Sequence, residues 1–405
     1  MRRVYLDNNA TTPLAPEVFE AMTPWLTEGF GNASSIHWYG QQAAAAVEAA
    51  REAVVAFLHA QAAEIVFTSG GTEADNMALI GVVDAAKTPG GSKHMVTTAI
   101  EHHAVLHTAK ALEKRGVRVT YVGVDPSGIV NPDEIRDAIT PDTVLISVMH
   151  ANNELGTVQP IEEIGRIARE HGIPLHTDAV QSAGKIPLDV DKLNVSLLSL
   201  SAHKLYGPKG VGALFVRKGT QLRPLLFGGG HERDRRAGTE NVAGIVGFGA
   251  AAGLAMRTLN EEPDRLAGLR DRLEAGILQS IPSVRINGDL KRRIPNTSSV
   301  TFEFVEGEGF VIAADLRGLA CSTGSACSSG SVEPSHVLTA IGQRPEQARS
   351  TVRLSLGRFN SREDIDGALK VIPEVVAHLR RLSPLYPECA AKSDGAGAAL
   401  SSAPK

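Results

Sequence analysis

The chain of 405 residues has little cysteine, few aromatics and little net charge, and each shortage removes a class of protein. Its three cysteines, Cys321, Cys327 and Cys389, are an odd set too small for a disulfide framework, which points to a reducing compartment where thiols stay free. They also lack the C-x-x-C spacing and the four ligands of a structural zinc site. Lys plus Arg number 41 against 45 Asp plus Glu, a net charge of −4, so no strong field invites nucleic acid or an anionic membrane. No apolar run reaches the roughly 18 residues of a membrane span. The opening MRRVYLDNNATTPLAP has two arginines but no apolar core of signal-peptide length. The expectation is a cytoplasmic protein whose partners include neither nucleic acid nor membrane.

What is present is length, glycine and alternating apolar runs. With 43% apolar residues and 40 glycines, the composition fits a compact α/β enzyme long enough for two domains. Helical spacing of Val47, Val54 and Leu58 predicts a helix over 41–59. Glu64 to Thr68 reads as a strand and runs into Ser69-Gly70-Gly71-Thr72-Glu73, after which ADNMALIGVVDAA is helical. Further strands are expected at 94–98, 117–122, 144–149, 173–176 and 195–200, with a helix opening at Glu101. This alternation from 64 to 216 predicts a mostly parallel sheet with helices on both faces. Such sheets place their sites at the carboxyl ends of the strands, so Gly70 to Thr72, His102, Asn153, Asp178 and Lys204 should converge.

The expected organisation is an N-terminal arm over 1–14 packing on the small domain, a large domain over 15–260 and a smaller α+β domain over 261–383. A tail over 384–405 is small, polar and aperiodic, hence expected to be disordered. The run PLLFGGGHERDRRAGTEN, 224–241, reads as a solvated loop too polar for a core. In the last helical region Pro373 should force a kink or a restart.

The candidate chemistry begins at VSLLSLSAHKLYGPKG, 195–210, where an apolar strand delivers Lys204 beside Ser201 and His203. A lysine in that setting is either a desolvated amine fit to bind a carbonyl carbon or an exposed side chain beside a turn. Asp178, 26 residues earlier, suits the ring nitrogen of a pyridoxal cofactor, or else caps a helix. The glycine turn at Gly70 and Gly71 offers free N–H groups to a phosphate, or serves geometry alone. His102 and His103 could stack on a planar ring or move protons. Arg353 has a fork suited to a carboxylate. In the segment 321–331, Cys327 sits among small residues and is expected on an exposed, mobile loop, whereas Cys321 reads as a buried small hydrophobe.

In order and approximate spacing the motifs FTSGGTEADN, EHHAV, MHANNELGTVQPI, HTDAVQ, SAHKLYGPKGVG, GGGHERDRRAGTEN, GSACSSGSVEPSHVL and TVRLSLGRF resemble those of the cysteine desulfurases of the nitrogen-fixation and iron–sulfur-cluster type, in the class V aminotransferase-like group. The likeness covers nearly everything except the tail. It implies the fold type I of pyridoxal phosphate-dependent transferases and conversion of L-cysteine to L-alanine, with sulfur passed to Cys327 as a persulfide. It further implies that Lys204 binds the cofactor covalently and Asp178 pairs with its ring nitrogen. Gln181 would bond the ring oxygen, and His102 would stack on the ring. Gly71, Thr72, Ser201 and His203 would hold the phosphate, with Thr239 from the partner of a homodimer. Asn153 would lie near ring and substrate, while Arg353 and Asn32 would receive the substrate carboxylate. An iron–sulfur scaffold or another acceptor would take the sulfur, and Cys327 could ligate a transient [2Fe–2S] cluster there. The family's usual Ser-Ser-Gly-Ser-Ala-Cys-Thr is altered here at Thr323 and Ser328, which bears on the acceptor more than on catalysis. Rival readings are a selenocysteine lyase or ordinary transaminase on the same fold, and a sulfur carrier needing neither Lys204 nor Asp178.

Overall fold

A computed structural model describes residues 3–88, 90–324, 334–384 and 386. Cys327, Cys389 and almost all of the tail over 384–405 lie outside the described residues. After a short strand β1 (Val4–Tyr5), seven strands build one sheet: β2 (Ile65–Thr68), β3 (His94–Thr98), β4 (Arg118–Val122), β5 (Thr143–Ser147), β6 (Leu175–Asp178), β7 (Leu197–Ser201) and β8 (Gly212–Val216). Their order is β2-β8-β7-β6-β5-β3-β4, and every pairing is parallel except the two made by β8. The fold class expected from the alternating pattern is the one observed.

The strands are apolar on both parities because both faces are covered. On one face Ile65, Phe67, Val96, Ile146, Leu175, Leu198 and Leu200 pack under the helices Trp38–Leu58, Ile161–Glu170 and Val242–Thr258. On the other face Val66, Met95, Leu145 and Leu197 pack under Gly71–Ala85 and His103–Glu113. Toward the carboxyl ends of β6 and β7 this second face turns polar, with His176, Asp178 and Ser199 following the same two-residue period as Leu197. Register pairs Asp178 with Ser199 across the two strands. That is where apolar packing gives way to a cavity.

A second core surrounds a smaller antiparallel sheet. Its strands are β9 (Val284–Asn287) and β10 (Thr297–Phe302), followed, after β11 (Leu319–Ala320), by β12 (Ser322–Thr323) and β13 (Thr351–Ser355), in the order β12-β13-β10-β9. The N-terminal segment joins this core. β1 runs parallel to β11, Leu6 is fully buried among Val300, Leu354 and Leu356, and Leu6 N donates to Ala320 O. The last helix, Arg362–Leu382, passes through Pro373 as one element instead of restarting. Proline removes one donor, but Ile365, Ala368, Ile372, Val375 and Val376 are all buried, and that apolar face outweighs a single lost hydrogen bond.

The loop over 224–241 departs from its sequence reading at Glu232, which is buried. Glu232, Arg233 and Asp234 all have positive φ, at 46°, 57° and 61°, a left-handed run that costs about 1–2 kcal/mol per residue. The compensation is a buried ion pair. Arg51 donates Nη1 and Nη2 to the two Glu232 oxygens at 2.9 Å each, Phe67 N donates to Glu232 Oε2 at 2.9 Å, and Arg51 Nη1 also reaches Ile65 O. Arg51→Met should therefore destabilise the protein by about 3–5 kcal/mol in denaturant unfolding, because it strands a buried carboxylate. Arg51→Met with Glu232→Gln should recover part of that loss; an equal or larger loss in the double variant would contradict this account.

Candidate active site

A cavity of about 300 Å³ opens at the carboxyl ends of β6 and β7, between the two cores. Lining it are Gly71, Thr72, His102, Asn153, Asp178, Gln181, Ser201, His203, Lys204 and Arg353, all singled out from the sequence, together with Asn9, Ala10, Asp75, Met149 and Val180, which were not. Cys327 lies outside the described residues. Asn32 and Thr239 are exposed and do not line the cavity of their own chain. Asn32 instead accepts from Ser34 N and Oγ at 3.0 and 2.7 Å, closing a local turn.

Lys204 ends a single 3₁₀ turn that follows β7 directly, so the buried strand sets where its stem begins. Its Nζ donates to Asn9 O at 2.5 Å and to Ala10 O at 2.6 Å, carbonyls of the N-terminal segment. Asp178 is the last residue of β6, and its Oδ1 accepts from Val180 N at 2.9 Å. The helix Gly71–Ala85 begins at the cavity, presenting N–H groups of its first turn and the positive end of its dipole. Only glycine fits at 71, since a Cβ there would meet Val180 Cγ2 at 2.8 Å. Next to it, Ser201 and His203 complete a pocket suited to a phosphate.

The helix expected to open at Glu101 opens at His103, because His102 caps it: His102 Nδ1 accepts from Ala104 N at 3.1 Å. Nδ1 is therefore unprotonated. Burial and the Lys204 charge push this imidazole down to about 4, so it is neutral at physiological pH, the form suited to stacking on a flat ring. Burial likewise lowers His203 to about 4 and His176 to about 3.

Acidic groups crowd the same floor. Asp75, His102 and Asp178 each bring a donor atom within 4.8 Å of the other two. Burial raises Asp75 well above the usual carboxylate range and the Asp178 charge raises it further. Two such carboxylates cannot both ionise without a cation between them. Among the described residues Asp75 Oδ1 has no hydrogen-bond partner, and the His176 imidazole, neutral at physiological pH, lies with Nε2 at 3.5 Å from it. The signal for Asp75 was available, four residues past Gly71 on the helix, yet the ADN of its motif reads as an ordinary helical interior. Glu101 is pushed up to about 8 by burial; its Oε1 accepts from Thr98 Oγ1 and Met149 N, while Oε2 has no partner and is the site for the proton.

Arg353 leaves β13 almost fully buried. Nη1 donates to Asn153 O at 3.0 Å and Nη2 to Asp7 Oδ1 at 2.9 Å, while Nε is buried with no partner among the described residues. A guanidinium so oriented and partly unsatisfied suits an incoming carboxylate. Cys321 is buried with its thiol pushed up to about 12, an inert packing residue as its sequence context indicated.

The residues present fit pyridoxal phosphate: an amine for the aldehyde, a carboxylate for the ring nitrogen, an amide for the ring oxygen, an imidazole for the ring face and a helix N-terminus for the phosphate. Comparison with known proteins agrees. The sequence matches the family Aminotransferase class-V over residues 4–367. It is 54% identical over 387 residues to "Cysteine desulfurase IscS" of Methanosarcina thermophila, covering 96% of this chain and 95% of that protein. It is 51% identical to the protein of the same name from Dictyoglomus turgidum, over 96% and 98% of the two chains. Among solved structures, "NIFS-LIKE PROTEIN" superposes with a TM-score of 0.87 at 40% identity, covering 93% of this chain and all of that one. "SspA in complex with cysteine" superposes with a TM-score of 0.78 at 40% identity, over 88% of this chain.

The raised Glu101 carboxyl makes a pH prediction for the cofactor-free protein. Folding keeps a proton on Glu101 that the unfolded chain releases near 4.5, so this stability is present below that pH and lost as pH rises through about 8. Glu101→Gln keeps an acceptor for Thr98 and Met149 but cannot titrate. Stability measured by denaturant between pH 5 and 8 should fall less steeply in this variant, by up to about 1.4 kcal/mol per pH unit. Identical slopes would contradict the assignment.

Proposed function

The chain belongs to the class-V aminotransferase family, and from that membership we propose that it is a pyridoxal phosphate-dependent cysteine desulfurase, converting L-cysteine to L-alanine and keeping the sulfur on Cys327. The observation that carries the cofactor half is the convergence of Lys204, Asp178, Gln181, His102 and the Gly71 helix start on one cavity. The sulfur half rests on relatives named for this reaction at about half identity over nearly the whole chain.

When bound, the cofactor supplies an electron sink that lets the substrate α-carbon give up a proton. The chain does the rest. Lys204 would hold the cofactor through Nζ and, placed beside the Asn9 and Ala10 carbonyls, would be the base that moves the substrate α-proton. Asp178 would pair with the ring nitrogen. Gln181 would donate to the ring oxygen, and the neutral His102 imidazole would stack on the ring. Ser201, His203, Gly71 and Thr72 would hold the phosphate. Arg353, with Nε unsatisfied, receives the substrate carboxylate close to Asn153. The Cys327 thiolate attacks the substrate sulfur: an S–S bond forms, the C–S bond breaks, and its electron pair stays on the carbon that becomes the alanine methyl after protonation.

A homodimer completes this reading. Leu26, Phe30, Ile36, Trp38, Leu226 and Phe227 are exposed on a single chain, large apolar side chains that a second copy would cover. The loop bearing Thr239 follows Phe227 and is tied back by Arg236 Nε to Glu73 Oε1 at 2.8 Å, which supports Thr239 reaching the partner's phosphate site. The enzyme would work in the cytoplasm, delivering sulfur to an iron–sulfur scaffold or another acceptor. Cys327 would ligate a transient [2Fe–2S] cluster at that scaffold. Cys327→Ala should retain the visible absorption of bound cofactor while forming no persulfide detectable by thiol-alkylation mass spectrometry. Full desulfuration by this variant would remove Cys327 from the reaction, and sedimentation as a monomer at micromolar concentration would remove the partner's Thr239.

A further inference from the structure

Lys185 is buried, and among the described residues no carboxylate forms an ion pair with it. The charges that reach it are those of Lys204 and Arg353, of its own sign, and these together with burial lower its ammonium to about 7. Such a cation is costly unless its hydrogen bonds hold something in place. Its two acceptors belong to one residue: Nζ donates to Gln181 O at 2.9 Å and to Gln181 Oε1 at 3.0 Å. On the other side of the same amide, Gln181 Nε2 donates to Asn9 O at 2.9 Å, and Asn9 O also accepts from Lys204.

These contacts determine which way the amide faces. A backbone carbonyl can only accept, so the atom toward Asn9 is Nε2, which leaves Oε1 toward Lys185, where it accepts from Nζ. One Nε2 hydrogen is taken by Asn9. The second is the donor that Gln181 has left to offer to the cavity it lines. A cation on Oε1 also polarises the amide and strengthens the N–H on its far side.

We infer that Lys185 is a positioning residue that locks the Gln181 amide with its N–H toward the cofactor, and so tunes how well the ring oxygen is held as an anion. The inference rests on the cofactor reading above and concerns a residue with no contact to substrate. Nothing in the sequence marks Lys185, since a lysine in AGKIP reads as a surface charge. Its neighbours in the small cavity at its own end include Lys204, Tyr206, Glu262 and Arg358, so the charge environment is mixed and the amide contact is what singles it out.

The test is a pH titration of the visible absorption of the cofactor-loaded, full-length protein, for wild type, Lys185→Met, Gln181→Ala and the double variant. Loss of the Lys185 charge and of the aligned donor both disfavour the ring anion, so Lys185→Met should raise the titration midpoint by about 0.5 pH unit or more. Gln181→Ala should raise it too, and the double variant should move no further than the larger single shift, because both act through one amide. Lys185→Arg, which keeps a cationic donor, should restore much of the wild-type midpoint, and Lys185→Gln should fall between; these two also serve if the methionine variant folds poorly. Wild-type titration in Lys185→Met or Lys185→Gln, or additive shifts in the double variant, would overturn the inference. A wild-type protein that takes up no cofactor would overturn the cofactor reading itself, an outcome distinguishable from the other two.

Discussion

The site depends on one short stretch of backbone, Asp7 to Thr12, held between the two cores. The Asn9 carbonyl receives Lys204 and Gln181, and Asn9 Nδ2 reaches Asn153 O and Thr297 Oγ1. Asn9 N donates to Ser355 Oγ, Asp7 pairs with Arg353, and Thr12 Oγ1 donates to the His203 carbonyl. Buried polar groups must find partners or forfeit a kilocalorie or more each. Here residues that follow β6 and β7 and residues of β10 and β13 all find partners in one segment. Moving it would unseat the amine, the amide and the guanidinium together.

That arrangement explains how a crowd of ionisable groups persists on a buried floor. Burial forces the carboxyls of Asp75, Glu101 and Asp178 upward, the Asp178 charge adding to the first two, and burial forces the imidazoles of His102 and His176 downward. The balance is met by neutral acids and neutral rings more than by ion pairs. A cofactor whose ring carries a cationic nitrogen and an anionic oxygen brings the charges this floor lacks, with Asp178 on one side and Gln181, steadied by Lys185, on the other.

The sheet was legible in the sequence because its strands are short apolar runs bounded by glycine and polar turns. Lys204, Asp178, Gly71 and His102 were legible because each follows such a run, and the ends of parallel strands meet. Gln181 became a candidate only through resemblance to a family, and it does line the cavity, beside Asn153 and Arg353, which their residue type and position already marked. Lys185 was not legible because its burial, and not its distance from Gln181, gives the contact its meaning; Asp75 and Asn9 were not because their importance comes from contacts across 100 residues or more of chain. Glu232 was misread for the same reason, since its partner Arg51 lies 181 residues away. Asn32 and Thr239 do not face the cavity of their own chain, a placement that a single sequence cannot distinguish from a role beside a second copy.

The central claim, that this cavity desulfurates L-cysteine, is tested most directly by product stoichiometry. Purified protein supplied with pyridoxal phosphate, L-cysteine and a reducing thiol should release alanine and sulfide in equal amounts. Pyruvate in place of alanine, or amino transfer to a keto acid without sulfide, would contradict it.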